Sequence, residues 1–297
     1  MKIGIIGLGR MGSAVASRLL RDRHEVYGFD TDQNNLKLAF HDGVVTCASL
    51  QDLSKQVDIF WLMVPAGQIV DNVISELLKS LKPDAIVIDG GNSNFKDSVR
   101  RHEFLKSKKI DFIDCGTSGG LHGKELGFSL MVGGDKKVFQ NLEPIFKSVA
   151  APGGHAYMGP SGSGHYVKMV HNGIEYALLQ AYAEGFHLLR EGKYKDLDLA
   201  SVARVWNHGS IIRSWILELA ENIFEHDQKF CDISGKIGEN KTGRWTLDEA
   251  KEQHVSVDLI ERALEIRAWS RQSGGNYATK LVALLRNQFG GHEMGKK

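Results

Sequence analysis

Cysteine is scarce in this sequence. Cys47, Cys115 and Cys231 are the whole supply among 297 residues, with no C-x-x-C pair and no zinc-ligand spacing. That excludes a disulfide scaffold and a zinc ribbon, and points to reduced thiols in a cytoplasmic protein. No apolar run approaches the roughly 20 residues a membrane helix needs. The first strand-like segment starts at the N-terminus, with no signal-like stretch before it. Charge of one sign is missing too. Lysine and arginine number 37 against 36 acidic residues, a net charge of +1 without long runs of either sign. A nucleic-acid-binding surface is therefore not expected. Proline is rare, at five residues, but glycine is plentiful, at 33. Many glycines are clustered, as turns and close backbone approach to a ligand require. With 42% hydrophobic and 25% charged residues, the chain is expected to be a soluble globular protein of one large or two ordinary domains.

The two halves differ in rhythm. Up to about residue 158, short apolar runs alternate with helical patterns. KIGIIG, HEVYGFD, VDIFWLMV, DAIVIDGG, KIDFIDCG and FSLMVGG each read as a strand. Their alternation with helices predicts an α/β Rossmann-type, doubly wound parallel sheet. Runs this continuously apolar suit strands covered on both faces. After about residue 160 strand signals vanish, and YVKMVHNGIEYALLQAYAEGFHLLREG, LASVARVWNHGSIIRSWILELAENIF, VDLIERALEIRAWSRQSG and YATKLVALLRNQF carry helical periodicity. The expectation is a dinucleotide-binding domain over residues 1–160 and an all-α domain over 161–297, parted at GPSGSG.

IGIIGLGRMG fits G-x-G-x-x-G through Gly7, Gly9 and Gly12, with a strand before it and an amphipathic helix starting within it. A second strand, EVYGF, delivers Asp30, 18 residues after Gly12. In this setting glycines permit the tight turn and the helix N-terminus receives a pyrophosphate. A carboxylate at Asp30 accepts both adenosine-ribose hydroxyls, which suits NAD; the extra phosphate of NADP would meet a like charge. Thr31, Asp32 and Gln33 follow, so no arginine is at hand to hold that phosphate. The bland alternative is that Asp30 caps the next helix.

Ligands of doubly wound sheets bind at the carboxyl ends of strands. WLMVP runs into Ala66 and Gly67, AIVIDGG into Asn92 and Ser93, and FIDCG into Thr117, Ser118, Gly119 and Gly120. Each segment also suits a plain turn. Candidate cofactor contacts are Gly7, Leu8, Gly9, Arg10, Met11, Gly12, Asp30, Val64, Pro65, Ala66, Gly67 and Asn92. In GHYVKMVHNGIEY, Lys168, His171, Asn172 and Glu175 fall at i, i+3, i+4 and i+7, on one stripe of a helix rich in apolar residues. A surface helix with a polar face is the commoner meaning of such a stripe. Its shortness, the wide apolar arc around it and its place at the domain junction favour a cleft. Lys168, near the helix N-terminus, can serve as a general base. Glu175 lies about 10 Å further along the axis, at 1.5 Å per residue, and would reach another atom of the same substrate. His165 and His171 are six apart and point different ways on a helix, so no metal site is read.

GLGRMG, VPAGQIV, IDGGNS, GTSGG, SLMVGGD, GSGHYVKMVHNGIEY and LRNQFGGH together resemble the decarboxylating 6-phosphogluconate dehydrogenases, in their short bacterial form. The resemblance covers nearly the whole chain. It implies oxidation and decarboxylation of 6-phosphogluconate to ribulose 5-phosphate, in the pentose phosphate pathway. Lys168 would take the 3-hydroxyl proton, and Glu175 would protonate C1 of the enediol. Asn92, Ser118, Gly119, Gly120, His171, Asn172 and Tyr176 match positions that bind the sugar oxygens or carboxylate. Arg267 matches a phosphate-binding arginine. Arg286 and His292 match a tail pair that reaches the phosphate in a partner subunit, which implies a homodimer or homotetramer with shared sites. Where the long form reads GQKGTGKW this chain reads GENKTGRW, which leaves Asn240 or Lys241 to take the role of a phosphate-binding lysine. Asp30 and Thr31 replace the usual NADP-binding asparagine–arginine pair, in line with NAD. Other β-hydroxyacid dehydrogenases, acting on 3-hydroxyisobutyrate or tartronate semialdehyde, are the nearest alternative; a non-catalytic NAD-binding protein is a more distant one.

Overall fold

The alternating strands of the first half form one eight-stranded sheet in the computed structural model, which describes residues 1–295. In chain order the elements are β1 (Lys2–Ile6), α1 (Arg10–Arg21), β2 (Glu25–Phe29), α2 (Gln33–His41), β3 (Val45–Thr46), α3 (Leu50–Ser54), β4 (Ile59–Leu62), α4 (Gln68–Leu77), β5 (Ile86–Asp89), α5 (Phe95–Lys106) and β6 (Asp111–Ser118). A single 3-10 turn (Gly120–His122) leads to α6 (Gly123–Leu126), β7 (Phe128–Gly134), α7 (Lys136–Val149) and β8 (Ala150–Gly159). The sheet order is β3-β2-β1-β4-β5-β6-β7-β8. Pairs among β1 to β6 are parallel, so the chain reverses direction across the sheet between β1 and β4, the switch point where such folds bind ligands.

The sheet is not parallel throughout. β7 runs antiparallel to β6, and β8 pairs parallel with β7. The nine residues between β6 and β7 are too few for the helical crossover a parallel pair needs. Two strands lie outside the sequence pattern. β3 is two residues long, and β8 carries Pro152 and a glycine pair, which read as a turn. β8 is an edge strand, where proline is tolerated.

Continuous apolar strands follow from burial on two faces. Ile3, Ile5, Trp61, Ile88 and Ile113 pack on one side with Val15 and Leu19 of α1 and Leu142, Ile145 and Phe146 of α7. Their neighbours Ile6, Phe60, Leu62, Val87 and Phe112 pack on the other with Leu53, Val70, Ile74, Leu77 and Leu105. The alternation is the period of two that a strand imposes.

By internal contacts the chain forms two units, Met1–Met169 and the residues from Val170 onward. α8 (Ser163–Glu191) is one continuous helix that begins in the first unit and runs into the second. There follow α9 (Leu199–Asn207), α10 (Trp215–His226), α11 (Lys241–Glu252), α12 (Asp258–Ser273) and α13 (Tyr277–Gly290). The segment from Leu199 to Phe224, helical in its periodicity, forms two helices. Gly209 at φ +91° breaks it, and Ser214 caps the second helix on Leu217 N. α11 is an addition to the sequence reading. The second unit's core joins Leu179, Ala183 and Phe186 of α8 to Leu217, Phe224, Phe230, Tyr277, Leu281 and Leu285. No described helix is long and apolar enough to cross a membrane.

Candidate active site

The glycine loop is built by contacts that no side chain could share. A Cβ on Gly12 would stand 1.9 Å from the Gly7 carbonyl oxygen, and one on Gly7 2.6 Å from that of Met63. Gly7 has φ +91° and donates its N–H to Phe29 O at 2.9 Å. Gly9 is the N-cap of α1, exposed, with nothing within 4 Å of a Cβ and no side chain capping the helix. The first amides of α1 are thus left to an anion, as a dinucleotide pyrophosphate requires. Leu8 is buried and Met11 half-buried, whereas Arg10 is exposed. Leu8 N–H donates to Asp30 Oδ2 at 2.6 Å. Asp30 also accepts from Asp32 N at 2.8 Å and Asn35 Nδ2 at 3.2 Å. Asp30 does not cap α2; Asp32 does. A carboxylate fixed at this edge of the loop fits the ribose hydroxyls of NAD.

The neighbouring loops are tied to one another. Gly67, at φ +102°, is the uncapped N-cap of α4, and a Cβ there would meet nothing within 4 Å. It follows Val64, Pro65 and Ala66, of which Pro65 is exposed. Arg101, 1% exposed, holds this loop from beneath. Its Nη2 donates to Gly67 O at 3.0 Å, its Nε to Asp71 at 2.9 Å, and its Nη1 to Asp89 at 3.2 Å and Ser93 Oγ at 3.1 Å. Asn92, at φ +54°, exchanges two hydrogen bonds with the Thr117 backbone, at 3.0 and 2.8 Å. The loops after β4, β5 and β6 therefore form one hydrogen-bonded edge. Ser118, Gly119 and Gly120 lie half-buried on it, the glycines at φ +130° and +55°.

Lys168 is buried, at 5% exposure. The start of its helix is held by Asp114, a fully buried carboxylate in β6 that accepts from Gly162 N at 2.7 Å and His165 N at 2.9 Å. Gly116, two residues on, faces the Lys168 side chain. His165 bonds Ser98 Oγ through Nδ1 at 2.7 Å, a structural role.

Within the second unit the same helix carries a linked polar set. His171 Nδ1 lies 3.1 Å from Asn172 Oδ1. Asn172 Nδ2 donates to the Thr242 hydroxyl at 3.0 Å, and that hydroxyl donates to Asn240 Oδ1. The Tyr176 hydroxyl donates to the same oxygen at 2.6 Å. Asn240 is the N-cap of α11. Asn172 and Tyr176, one turn apart, are thus bridged by the start of α11. The Arg267 guanidinium lies 3.4 Å from the Tyr176 ring centre, 1% exposed, and its Nη1 and Nη2 have no hydrogen-bond partner. Burial pushes its pKa down to about 10; the charge of Arg286 acts in the same direction, and Tyr176, Glu175 and Glu239 oppose it. Arg286 is also buried and also lowered by desolvation. Lys241 is an exposed side chain on the first turn of α11 and takes no part in this set. His292 follows α13, where its carbonyl accepts from Asn287 Nδ2 and its ring meets Phe289 edge-on.

Of the stripe on α8, Lys168 and Asn172 are buried and His171 and Glu175 half-buried, whereas the apolar Ile174, Leu178 and Leu188 are 51%, 43% and 73% exposed.

The family description "NAD binding domain of 6-phosphogluconate dehydrogenase" matches residues 2–165, and "6-phosphogluconate dehydrogenase, C-terminal domain" matches 164–293. The chain belongs to the 6-phosphogluconate dehydrogenase family. It is 49% identical to the NAD(+)-dependent, decarboxylating 6-phosphogluconate dehydrogenase of Haloferax volcanii, over 100% of this chain and 99% of that one. It is similar to the solved 6-phosphogluconate dehydrogenase of Plasmodium falciparum, studied with NADP+ and with 6-phosphogluconate. The TM-score is 0.83 and the identity 30%, over 92% of this chain and 62% of that one. The chain thus spans under two thirds of that relative's length. A likeness to 3-hydroxyisobutyrate dehydrogenase of Mycobacterium tuberculosis shows a shared fold: the TM-score is 0.77 and the identity 22%, over 97% and 98% of the two chains.

Against the family motifs, Asp114 and Arg101 are the additions from structure, and the N-cap role of Asn240 is a third. A charged residue inside a strand buried on both faces, as in FIDCG, is the signal that marks Asp114. Asn240 is a helix N-cap residue type, and that is its signal in the sequence. Arg101 has no local signal, since its partners lie up to 34 residues away.

Proposed function

We propose that this chain oxidises and decarboxylates 6-phosphogluconate to ribulose 5-phosphate and CO2, with NAD as the preferred hydride acceptor. The observation that carries this reading is Arg267, buried against Tyr176 with two guanidinium nitrogens unpaired. A buried cation without a partner is costly, and an anionic ligand removes the cost. A guanidinium fork suits the oxygens of a phosphate ester. The 3-hydroxyisobutyrate reading offers no phosphate to fill it.

The glycine loop, Asp30 and the loop through Gly67 are the residues that would hold NAD, which would supply the acceptor for the hydride leaving C3. Lys168, as the neutral amine, accepts the 3-hydroxyl proton. The resulting 3-keto acid loses its carboxyl group as CO2, and the electron pair of the broken bond moves to the keto oxygen. Lys168, now an ammonium, returns its proton to that oxygen. Glu175 protonates the carbon that lost CO2, giving the ketose. His171 and Asn172, with Asn92 and the segment Ser118, Gly119 and Gly120, would orient the hydroxyls and carboxylate. Asp30 favours NAD because the 2′-phosphate of NADP would bring a like charge to its carboxylate.

The reading extends to a cytoplasmic enzyme of at least two chains. The exposed Ile174, Leu178 and Leu188 on α8 support the second chain. To test the activity, the purified protein is mixed with 6-phosphogluconate and NAD or NADP while reduced cofactor and CO2 are followed together. Equal amounts of both, faster with NAD, are expected. Reduced cofactor without CO2 would overturn the decarboxylating assignment.

A further inference from the structure

Arg101 sits on α5 at 1% exposure, and every N–H of its guanidinium has an acceptor. Nε donates to Asp71 Oδ1 at 2.9 Å. Nη2 donates to Asp71 Oδ2 at 3.2 Å and to the Gly67 carbonyl at 3.0 Å. Nη1 donates to Asp89 Oδ2 at 3.2 Å and to Ser93 Oγ at 3.1 Å. A guanidinium has five N–H donors, and these bonds use them all. The acceptors come from two separate segments. Gly67 and Asp71 belong to the start of α4, after β4. Asp89 and Ser93 bracket the loop after β5. Both segments follow the carboxyl ends of their strands, where ligands of such folds bind.

Stability alone does not call for this arrangement. A buried ion pair gains little over apolar side chains of the same volume, because both charges lose their water. What the pairing does fix is geometry. Asp89, fully buried, also accepts from Gly91 N at 3.1 Å and Ser93 Oγ at 2.7 Å. The turn that carries Asn92 therefore closes on the same carboxylate that Arg101 holds. Gly91 packs on the other loop: a Cβ there would stand 2.4 Å from the Val64 carbonyl oxygen. Asn92 has φ +54°, a left-handed backbone that a non-glycine residue keeps only where its surroundings impose it. Arg101, Asp89 and Ser93 impose it on one side and the Thr117 backbone on the other. A lysine would keep the charge and lose the fork, offering three donors from one point to acceptors spread over both loops.

We propose that Arg101 is a positioning residue that sets the cofactor loop at Gly67 against the substrate loop at Asn92, so that dinucleotide binding at the first loop orders the second. This rests on the roles proposed above for the two loops. Hydride transfer needs C3 of the substrate and the acceptor ring within a narrow range of distance, and a residue that ties both loops controls that register. Arg101 acts through Gly67 and Asn92 and touches neither ligand.

The test compares wild type with Arg101→Lys, which keeps the charge, and Ser93→Ala, which deletes one acceptor and leaves both carboxylates in place. Thermal melting shows whether each is folded; if Arg101→Lys is not, Ser93→Ala decides. Hydrogen exchange of residues 90–93 is followed with and without NADH, in the absence of substrate. In wild type, NADH should slow that exchange about fivefold or more, a coupling of ordinary size. In Arg101→Lys the protection should disappear, and in Ser93→Ala it should shrink. With 6-phosphogluconate, kcat should fall about 100-fold in Arg101→Lys, the cost of a misplaced reacting pair. In Ser93→Ala it should fall about fivefold, the loss of one hydrogen bond. NADH affinity should change far less, because the glycine loop and Asp30 are untouched. A merely structural arginine would lower kcat and melting temperature together and leave the NADH-induced protection in the folded variants. That result overturns the proposal, as would unchanged kcat in both folded variants or no protection in wild type. Wild-type protein inert toward 6-phosphogluconate, yet showing NADH-induced protection that Arg101→Lys abolishes, supports the role of Arg101 and strikes the substrate assignment instead.

Discussion

Gly116 and Lys168 are fitted to each other: a Cβ at residue 116 would stand 2.4 Å from Cβ of the lysine and 2.8 Å from the Gly164 carbonyl oxygen. No L-residue with a side chain fits there unless the helix start moves. That start is pinned by Asp114 through the amides of Gly162 and His165. Gly116→Ala should therefore displace Lys168 by a fraction of an ångström to an ångström and lower kcat about 100-fold. NAD binding, measured by fluorescence titration, should hold, because the glycine loop is untouched. A variant with wild-type kcat would show that Lys168 tolerates misplacement and is not the base.

Asp30 links cofactor choice to loop geometry through the Leu8 N–H. Asp30→Ala removes the charge that opposes a 2′-phosphate. Like charges so placed cost several kcal/mol, so the NAD-to-NADP ratio of kcat/KM should fall about 100-fold. Part of that fall will be lost NAD efficiency, since the Leu8 amide loses its acceptor. Paired initial-rate series with the two cofactors measure both effects. An unchanged ratio would place the preference elsewhere.

These two sites show what local sequence carries. Gly7, Gly9, Gly12 and Asp30 are readable because strand, turn and helix follow in order, and the contact that needs glycine at Gly12 lies five residues back, although the one at Gly7 is with Met63, far along the chain. The stripe on α8 is readable as a stripe, because helical spacing is local. Which side of it faces inward is not local. Ile174 and Leu178 outside, with Lys168 and Asn172 inside, reverse what hydrophobicity alone prescribes. α11 escapes the pattern because NKTGRWTLDEAKE is largely polar; its start is set by Asn240, whose partner Tyr176 is 64 residues away. Asp114 and Arg101 likewise act on segments far along the chain.

Asp71 makes stability depend on acid. Hydrogen bonds from Arg101 first, then from Arg100, hold its carboxyl below the usual carboxylate range. The folded state therefore binds that proton less readily than the unfolded chain. The resulting stability is fully present above the unfolded value near pH 4 and is lost as pH falls through the depressed folded value. Asp71→Asn should melt well below wild type at pH 7, and the gap should narrow as pH falls below about 4. Melting curves over that range decide it; a gap independent of pH would mean that the Asp71 charge contributes nothing.

Tyr176 has two functions that substitution can separate. Its ring supports Arg267 and its hydroxyl reaches Asn240. Tyr176→Phe keeps the ring and deletes one hydrogen bond, worth about 1 kcal/mol, so KM for 6-phosphogluconate should rise about fivefold with kcat little changed. Tyr176→Ala removes the face on which the guanidinium rests as well, and should add a further loss of roughly tenfold, since a desolvated cation–π contact is worth about 1–2 kcal/mol. Asn240→Ala combined with Tyr176→Phe should cost less than the two single losses summed, because both break the same bond. Strict additivity in that double-mutant cycle would show that Tyr176 and Asn240 act on the substrate independently, and that the start of α11 does not hold the tyrosine under Arg267.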